Sequence, residues 1–174
     1  MNDVEKHPFE AYVPDNATVL IVGSFPGKEQ TRTLPNEIEW FYGAKRNQFW
    51  KIISGVYPNH SLKNKTEKEE LFKKAGIGIA DVILRAKRLN NGNSDKNLEV
   101  KEFNYLTIES KLKCSKIQSI YFTSKYVEQL FSKHFGNLFS EIKIRECLPS
   151  PSPIYRRMNL AEKIEHYKLK LPQL

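Results

Sequence analysis

Continuously apolar runs alternate along this chain with stretches that are apolar only at every third or fourth position. Ala17 to Gly23 (Ala-Thr-Val-Leu-Ile-Val-Gly) is one such run, the pattern of a strand buried on both faces within a parallel sheet. Ile77 to Leu84 reads as a second buried strand carrying one carboxylate, Asp81, and Ile117 to Thr123 as a third. Ile142, Ile144 and Leu148 alternate with polar neighbours, as in a half-exposed edge strand. Helical spacing fills the intervals. Phe49, Ile53 and Val56 form one face, Leu71, Phe72 and Ala75 a second that Gly76 closes, and a short helix is expected from Tyr105 to Cys114. Val127, Leu130, Phe131 and Phe135 follow a capping Ser124; Leu160, Ile164, Tyr167 and Leu171 follow Asn159. Thr66 and Glu69 have capping-box spacing. Lys28 to Glu39 is a polar excursion turning at Pro35-Asn36, and Arg85 to Asn97 reads as a basic, flexible loop. Strands alternating with helices predict a three-layer α/β/α sandwich on a mainly parallel, four-stranded central sheet. No repeat or linker divides the chain, so residues 1–174 are read as one domain.

Composition narrows the class. At 174 residues with 40% hydrophobic content, the chain can bury a sizeable core. No apolar run approaches the ~20 residues that span a bilayer, and the polar start, Met1 to Pro14, has no apolar signal core. A cytoplasmic protein with no membrane association is expected. Cys114 and Cys147 form no metal-type pair and read as buried thiols in a reducing compartment; His7, His60, His134 and His166 lack ligand spacing. No metal or other cofactor is therefore expected. The net charge is +8, and the sequence pI near 9.4 suits a nucleic-acid partner.

The candidate chemistry gathers in three places. Phe41 to Trp50 (Phe-Tyr-Gly-Ala-Lys-Arg-Asn-Gln-Phe-Trp) combines aromatic faces, adjacent cations and one carboxamide, Asn47, just before a helix. Aromatic faces can stack a base, cations can hold phosphates, and a fixed amide can read a base edge or orient a water. Asn47 is equally suited to cap the helix. The first strand ends in Gly23-Ser24-Phe25-Pro26-Gly27, a tight turn at the sheet edge where ligands bind in open α/β folds. Pro149-Ser150-Pro151-Ser152-Pro153 is a stiff loop whose hydroxyls suit phosphate contact, and Ile154-Tyr155 beyond it could enter a base stack.

Taken in order, Val-Gly-Ser-Phe-Pro-Gly, Phe-Tyr-Gly-Ala-Lys-Arg-Asn-Gln-Phe-Trp, Gly-Ile-Ala-Asp-Val and Leu-Pro-Ser-Pro-Ser-Pro resemble the uracil-DNA glycosylase superfamily, most nearly its hypoxanthine-DNA glycosylase branch. The resemblance runs from about Thr18 to Arg157. It implies metal-free hydrolysis of the N-glycosidic bond of a deaminated base, hypoxanthine or uracil, flipped from DNA for base excision repair. It also implies that Asn47 positions the attacking water, while Gly23, Ser24, Phe25, Pro26, Tyr42, Asp81 and Ser150 surround the base. Phe25 or Tyr42 would take the flipped base on its ring, and Ile154 and Tyr155 would fill the vacated stack. Ser152, Arg46, Arg156 and Arg157, with some of Lys45, Lys87 and Arg88, would hold the DNA backbone. The chain departs from the usual superfamily pattern at Phe25, where an Asp or Asn is common, and at Leu148, where many relatives have His. The hypoxanthine branch is similar in lacking both. These departures favour the alternative of an inactive nucleic-acid binding module. The partner expected is DNA containing damaged bases, bound by a monomer.

Overall fold

The first apolar run folds as strand β2 (Val19–Gly23), with every residue buried. The computed structural model describes residues 4–32, 40–89, 92–113, 116–136 and 142–174. β2 lies between β3 (Ile77–Asp81) and β6 (Ser119–Phe122), with β7 (Ile144–Cys147) outside β6, in the order β3-β2-β6-β7. All three pairings are parallel. Period-two alternation sends Val19 and Ile21 into one core and Leu20 and Val22 into the other. The first core is covered by α2 (Phe49–Val56), α3 (Lys65–Ala75) and α6 (Leu160–Lys168), and the second by α4 (Tyr105–Lys113) and α5 (Lys125–Phe135). Each large apolar side chain buried there stabilises the fold by roughly 1.5–3 kcal/mol. The expected three-layer sandwich on a four-stranded parallel sheet is what forms.

Helix ends follow local chemistry. Ser124 accepts the Val127 N–H at 3.2 Å, and Asn159 and Glu162 cap α6 reciprocally. Gly76 ends α3 in the left-handed region, φ 66°. The cap of α3 is Asn64, accepting from Glu67 N–H at 3.0 Å, rather than Thr66. An equally good cap two residues earlier takes the role, and Glu67 turns back to the Lys63 N–H.

A second sheet stands where a loop was expected. The chain leaves the parallel sheet at Val82 and continues as β4 (Ile83–Arg88), so Ile77 to Leu84 is two strands. β4 pairs antiparallel with β5 (Leu98–Phe103) and with β1 (Val4–Lys6). Its inward positions include Ala86 and Arg88, and an arginine on the inner face hides the alternation. Arg88 is buried because Glu5 of β1 accepts from its Nε at 2.9 Å. A short helix α1 (Lys28–Arg32) opens the polar excursion; the turn expected at Pro35-Asn36, and Cys114, lie outside the described residues. Cys147 is half-buried, donating to Glu128, and burial pushes its thiol up to about 12. Among the described residues no helix is long and apolar enough to cross a membrane.

α2 and α6 cross where Gly55 faces Ile164. A Cβ on Gly55 would lie 2.5 to 3.0 Å from three side-chain carbons of Ile164. Gly55→Ala gains up to about 1 kcal/mol of helix propensity but overpacks the crossing at about 1–3 kcal/mol. The clash wins, because a β-branched side chain has little room to turn away. Urea denaturation is expected to show a net loss of about 1 kcal/mol, and the same Gly55→Ala change should cost less when made in an Ile164→Ala background.

Candidate active site

The register that pairs Gly23 with Asp81 sets the ends of β2 and β3 side by side. A Cβ on Gly23 would stand 2.2 Å from the Tyr42 hydroxyl and 2.3 Å from Asp81 Oδ1, so only glycine lets a phenol and a carboxylate close on the strand end. Tyr42 is delivered by a turn in which Gly43 N–H donates to the Trp40 carbonyl at 3.1 Å. Tyr42 itself takes a left-handed backbone, φ 56°, a strain of order 1–2 kcal/mol. Its ring stacks on Phe49 at 4.3 Å, and its hydroxyl meets Thr123 Oγ1 at 3.1 Å. Thr123 donates its own proton to the Val22 carbonyl, so the phenol proton lies between the two hydroxyls. Burial first, then the Asp81 charge, raises the Tyr42 pKa well above the usual range.

Asp81 is only 6% exposed. Its Oδ2 is 2.8 Å from His7 Nε2, while Oδ1 is buried with no hydrogen-bond partner. His7 Nδ1 accepts the Phe9 N–H at 3.1 Å, so the ring proton sits on Nε2 and is donated to Asp81. Ser24 Oγ donates to Asp95 Oδ1 at 2.8 Å. Burial raises the Asp95 pKa above the ordinary carboxylate value, the Ser24 bond opposes this, and the Asp81 charge adds to it.

The Asn47 turn and the Pro-Ser loop are stitched together. Gln48 N–H donates to the Pro151 carbonyl at 2.9 Å, and Gln48 Oε1 accepts from Lys163 Nζ at 2.8 Å. Lys163, 1% exposed, also reaches the Ser152 carbonyl at 3.5 Å and lies over the Tyr155 ring at 5.2 Å. None of these partners is a carboxylate, and burial lowers the lysine's pKa. Asn47 Oδ1 accepts the Phe49 N–H at 2.9 Å; the N-cap position itself is Gln48, whose side chain makes no capping bond, so Asn47 supports the helix start from one residue before the cap. Ser150 Oγ accepts from Ser152 N–H and Ser152 Oγ from Ile154 N–H, which leaves each hydroxyl a proton to donate.

Gly23, Ser24, Tyr42 and Asp81 thus share one end of the sheet, and Asn47, Ser150 and Ser152 share the stitched loops beside it. Phe25 does not offer an open stacking face. Its ring is 9% exposed, edge-on to His7 at 5.9 Å and covered by the Arg88 guanidinium at 5.7 Å. An aromatic that directly follows a buried strand is drawn into the second core, and this corrects the expectation of a base platform there. Pro26 is buried and its carbonyl accepts from Arg88 at 2.6 Å. Arg88 accordingly faces inward, away from any DNA-facing surface, and braces the turn. Arg46, Arg156 and Arg157 are exposed, without ion pairs among the described residues. Ile154 is 80% exposed, whereas Tyr155 is half-buried under Lys163. Sequence reasoning missed His7, Asp95, Thr123 and Lys163. Each acts through a partner distant in the chain, so local spacing carried no signal. A surface hollow lined by Asp15, Asn16, Glu70, Lys73 and Lys74 lies at the opposite edge, where β2 and β3 begin.

Residues 10–173 match the family model of the uracil DNA glycosylase superfamily. The chain belongs to this superfamily. It is 28% identical over 106 residues to a hypoxanthine DNA glycosylase of Methanosarcina barkeri, covering 60% of this chain and 63% of the relative. It is also 28% identical over 100 residues to a hypoxanthine DNA glycosylase of Methanosarcina acetivorans, covering 57% and 59%. The matches therefore span about three-fifths of these curated relatives. A solution NMR structure of a proposed uracil DNA glycosylase from Methanosarcina acetivorans superposes with a TM-score of 0.70 over 96% of this chain and 98% of that one, at 23% identity. That likeness shows the superfamily fold. His7 precedes the segment that matches the superfamily.

Lys163 gives this site a pH signature. Its folded pKa lies below the ordinary lysine value of 10.5, so between those two pKa values the unfolded chain binds more protons and stability rises with pH. Relative to Lys163→Met, wild type is expected to gain stability as pH rises from neutral towards 10.5. Urea titrations of both proteins across that range check it; a constant difference would refute it.

Proposed function

We propose that this chain is a monofunctional DNA glycosylase that hydrolyses the N-glycosidic bond of a deaminated base, hypoxanthine or uracil, in base excision repair. It would act as a cytoplasmic monomer. The observation that carries this reading is the convergence of the Ser24 turn, the Tyr42–Asn47 turn and the Pro-Ser loop at one sheet edge, where Asp81 holds an unpartnered acceptor. The names of both curated relatives point the same way.

In the reaction a water oxygen bonds to the sugar C1′ while the C1′–N bond breaks and its electron pair leaves on the base. The water proton ends on the base or in solvent. The sugar becomes cationic as the base becomes anionic, so the site must aim a water and stabilise separated charge. Asn47 is too weak a base to take the proton, but its carbonyl has a second lone pair beyond the one that Phe49 N–H uses. The helix bond holds the amide still, and the free lone pair accepts from the water. Ser150 and Ser152 donate to phosphate, Arg46, Arg156 and Arg157 supply the charge, and Ile154 enters the gap left by the flipped base. Tyr42 and the Gly23–Ser24–Pro26 backbone surround the base itself. Extruding a base costs a few kcal/mol, least at a mispaired lesion, which itself favours damaged sites.

Asn47→Ser separates the cap from the catalyst. Serine caps about as well as asparagine, so the melting temperature should hold while base release falls on the order of 100-fold or more. Full turnover by Asn47→Ser, on a duplex that wild type cleaves, would leave Asn47 a cap only. Neutralising Arg156 and Arg157 should weaken binding and flatten the log affinity against log salt slope by about one unit per lost phosphate contact. Salt-dependent binding by wild type with no base released from any deaminated duplex would select the inactive binding module instead.

A further inference from the structure

His7 lies outside the segment that matches the superfamily, yet it reaches the centre of the candidate site. It is 5% exposed, in an aromatic cage of Phe9, Phe25 and Phe41. The Phe9 N–H fixes its tautomer, and its one ring proton goes to Asp81 Oδ2. The other Asp81 oxygen, in a residue more than nine-tenths buried, faces Gly23 and the Tyr42 hydroxyl with no donor in reach. Tyr42 does not satisfy it, because its proton lies toward Thr123. A buried acceptor left open is costly, and it discriminates strongly between ligands that bring a donor and ligands that do not.

We infer that His7 is a positioning residue for specificity: by clamping Oδ2 it presents Oδ1 as a fixed acceptor for a ring N–H on the edge of the flipped base. This rests on the glycosylase reading and names the substrate class within it. Deamination converts the ring nitrogen N1 of adenine, or N3 of cytosine, from an acceptor to an N–H donor. A lone carboxylate oxygen accepts from hypoxanthine and uracil and repels the acceptor nitrogens of adenine and cytosine. The acceptor therefore separates hypoxanthine and uracil from their parents adenine and cytosine, while guanine and thymine, which carry the same ring N–H, must be refused by other contacts. Oδ1 faces the Tyr42 hydroxyl, so contact with a base requires the Tyr42 side chain to leave Thr123 and Phe49.

The test is a cycle between His7 and that proton, using the full chain and one single-stranded oligonucleotide carrying hypoxanthine, N1-methylhypoxanthine, uracil or N3-methyluracil. His7→Phe keeps a ring in the cage and removes the donor; His7→Gln keeps a donor for Oδ2. With wild type, methylation should slow release through both steric bulk and the lost hydrogen bond. With His7→Phe the steric part remains, so the penalty for methylation should shrink about 10- to 100-fold, and His7→Gln should restore most of it. Melting temperatures establish that the variants are folded. A methylation penalty that is the same in wild type and folded His7→Phe overturns the inference while leaving the glycosylase reading in place. A folded His7→Gln that behaves as His7→Phe also overturns it. Failure of wild type to release either unmethylated base overturns both.

Discussion

Because β2 pairs with β3 in the register that sets Gly23 beside Asp81, the missing side chain of one residue decides what the sheet edge can hold. Phenol, carboxylate and backbone occupy the volume that any Cβ would claim. The left-handed backbone of Tyr42 follows from the same closure, since the turn must bring a large ring over the strand end and stack it on Phe49. Strain of this kind persists where surrounding contacts over-determine the conformation. Here the Thr123 hydroxyl, the Phe49 ring and the Gly43 turn fix Tyr42 from three sides.

The loops around that edge are held by two buried cations used in opposite ways. Arg88 is neutralised by Glu5; burial alone would raise the Glu5 pKa, but bonds from Thr31, Arg32 and Arg88 outweigh it and hold the carboxyl below its ordinary value. Removing one partner of such a pair costs ~3–5 kcal/mol, so the first turn, bonded through the Pro26 carbonyl, is tied firmly to β1. Lys163 has no counter-carboxylate among its bonds to Gln48 and Ser152. It joins the Asn47 turn to the Pro-Ser loop and places a positive charge without a counter-carboxylate beneath that loop. A charge kept in low dielectric at such a place is screened less by salt than the exposed arginines around it. One cation is therefore used to anchor, and the other anchors while charging the surface above it.

What the sequence made legible is what depends on local pattern. The all-buried β2, the α5 cap at Ser124 and the glycine stop of α3 were readable because each is written in adjacent residues. The second sheet was not, since its inward arginine looks like a loop residue until Glu5, 83 positions away, is placed beside it. His7 was passed over for the same reason: a lone histidine has no ligand spacing, and Asp81 lies 74 positions on. Phe25 failed in the other direction. Its motif suggested a stacking face, but a strand-end aromatic packed into an apolar cluster is held by the core. Of the site, the loops were legible, whereas the pairings that tune their polar groups were not.

On the proposed reading, a carboxylate beside the base edge works against the chemistry it serves. The base departs with a growing negative charge, and a fixed anion nearby opposes that charge, the more so in a buried site where screening is weak. Asparagine in place of Asp81 would remove the repulsion but would present an NH2 as readily as a carbonyl, and so would read either state of the ring nitrogen. A carboxylate cannot present a donor while ionised, so its selectivity is stricter. His7 strengthens that by holding Oδ2 with a donated proton without lending a full positive charge to the site. The arrangement exchanges rate for discrimination, and the lost rate must be recovered from groups that do not touch the base edge. Those are the amide that aims the water and the cations that draw in the DNA backbone. On that proposal Asn47, which is too weak a base to take a proton, suffices beside an unhelpful charge because the acceptor selects and positioning accelerates.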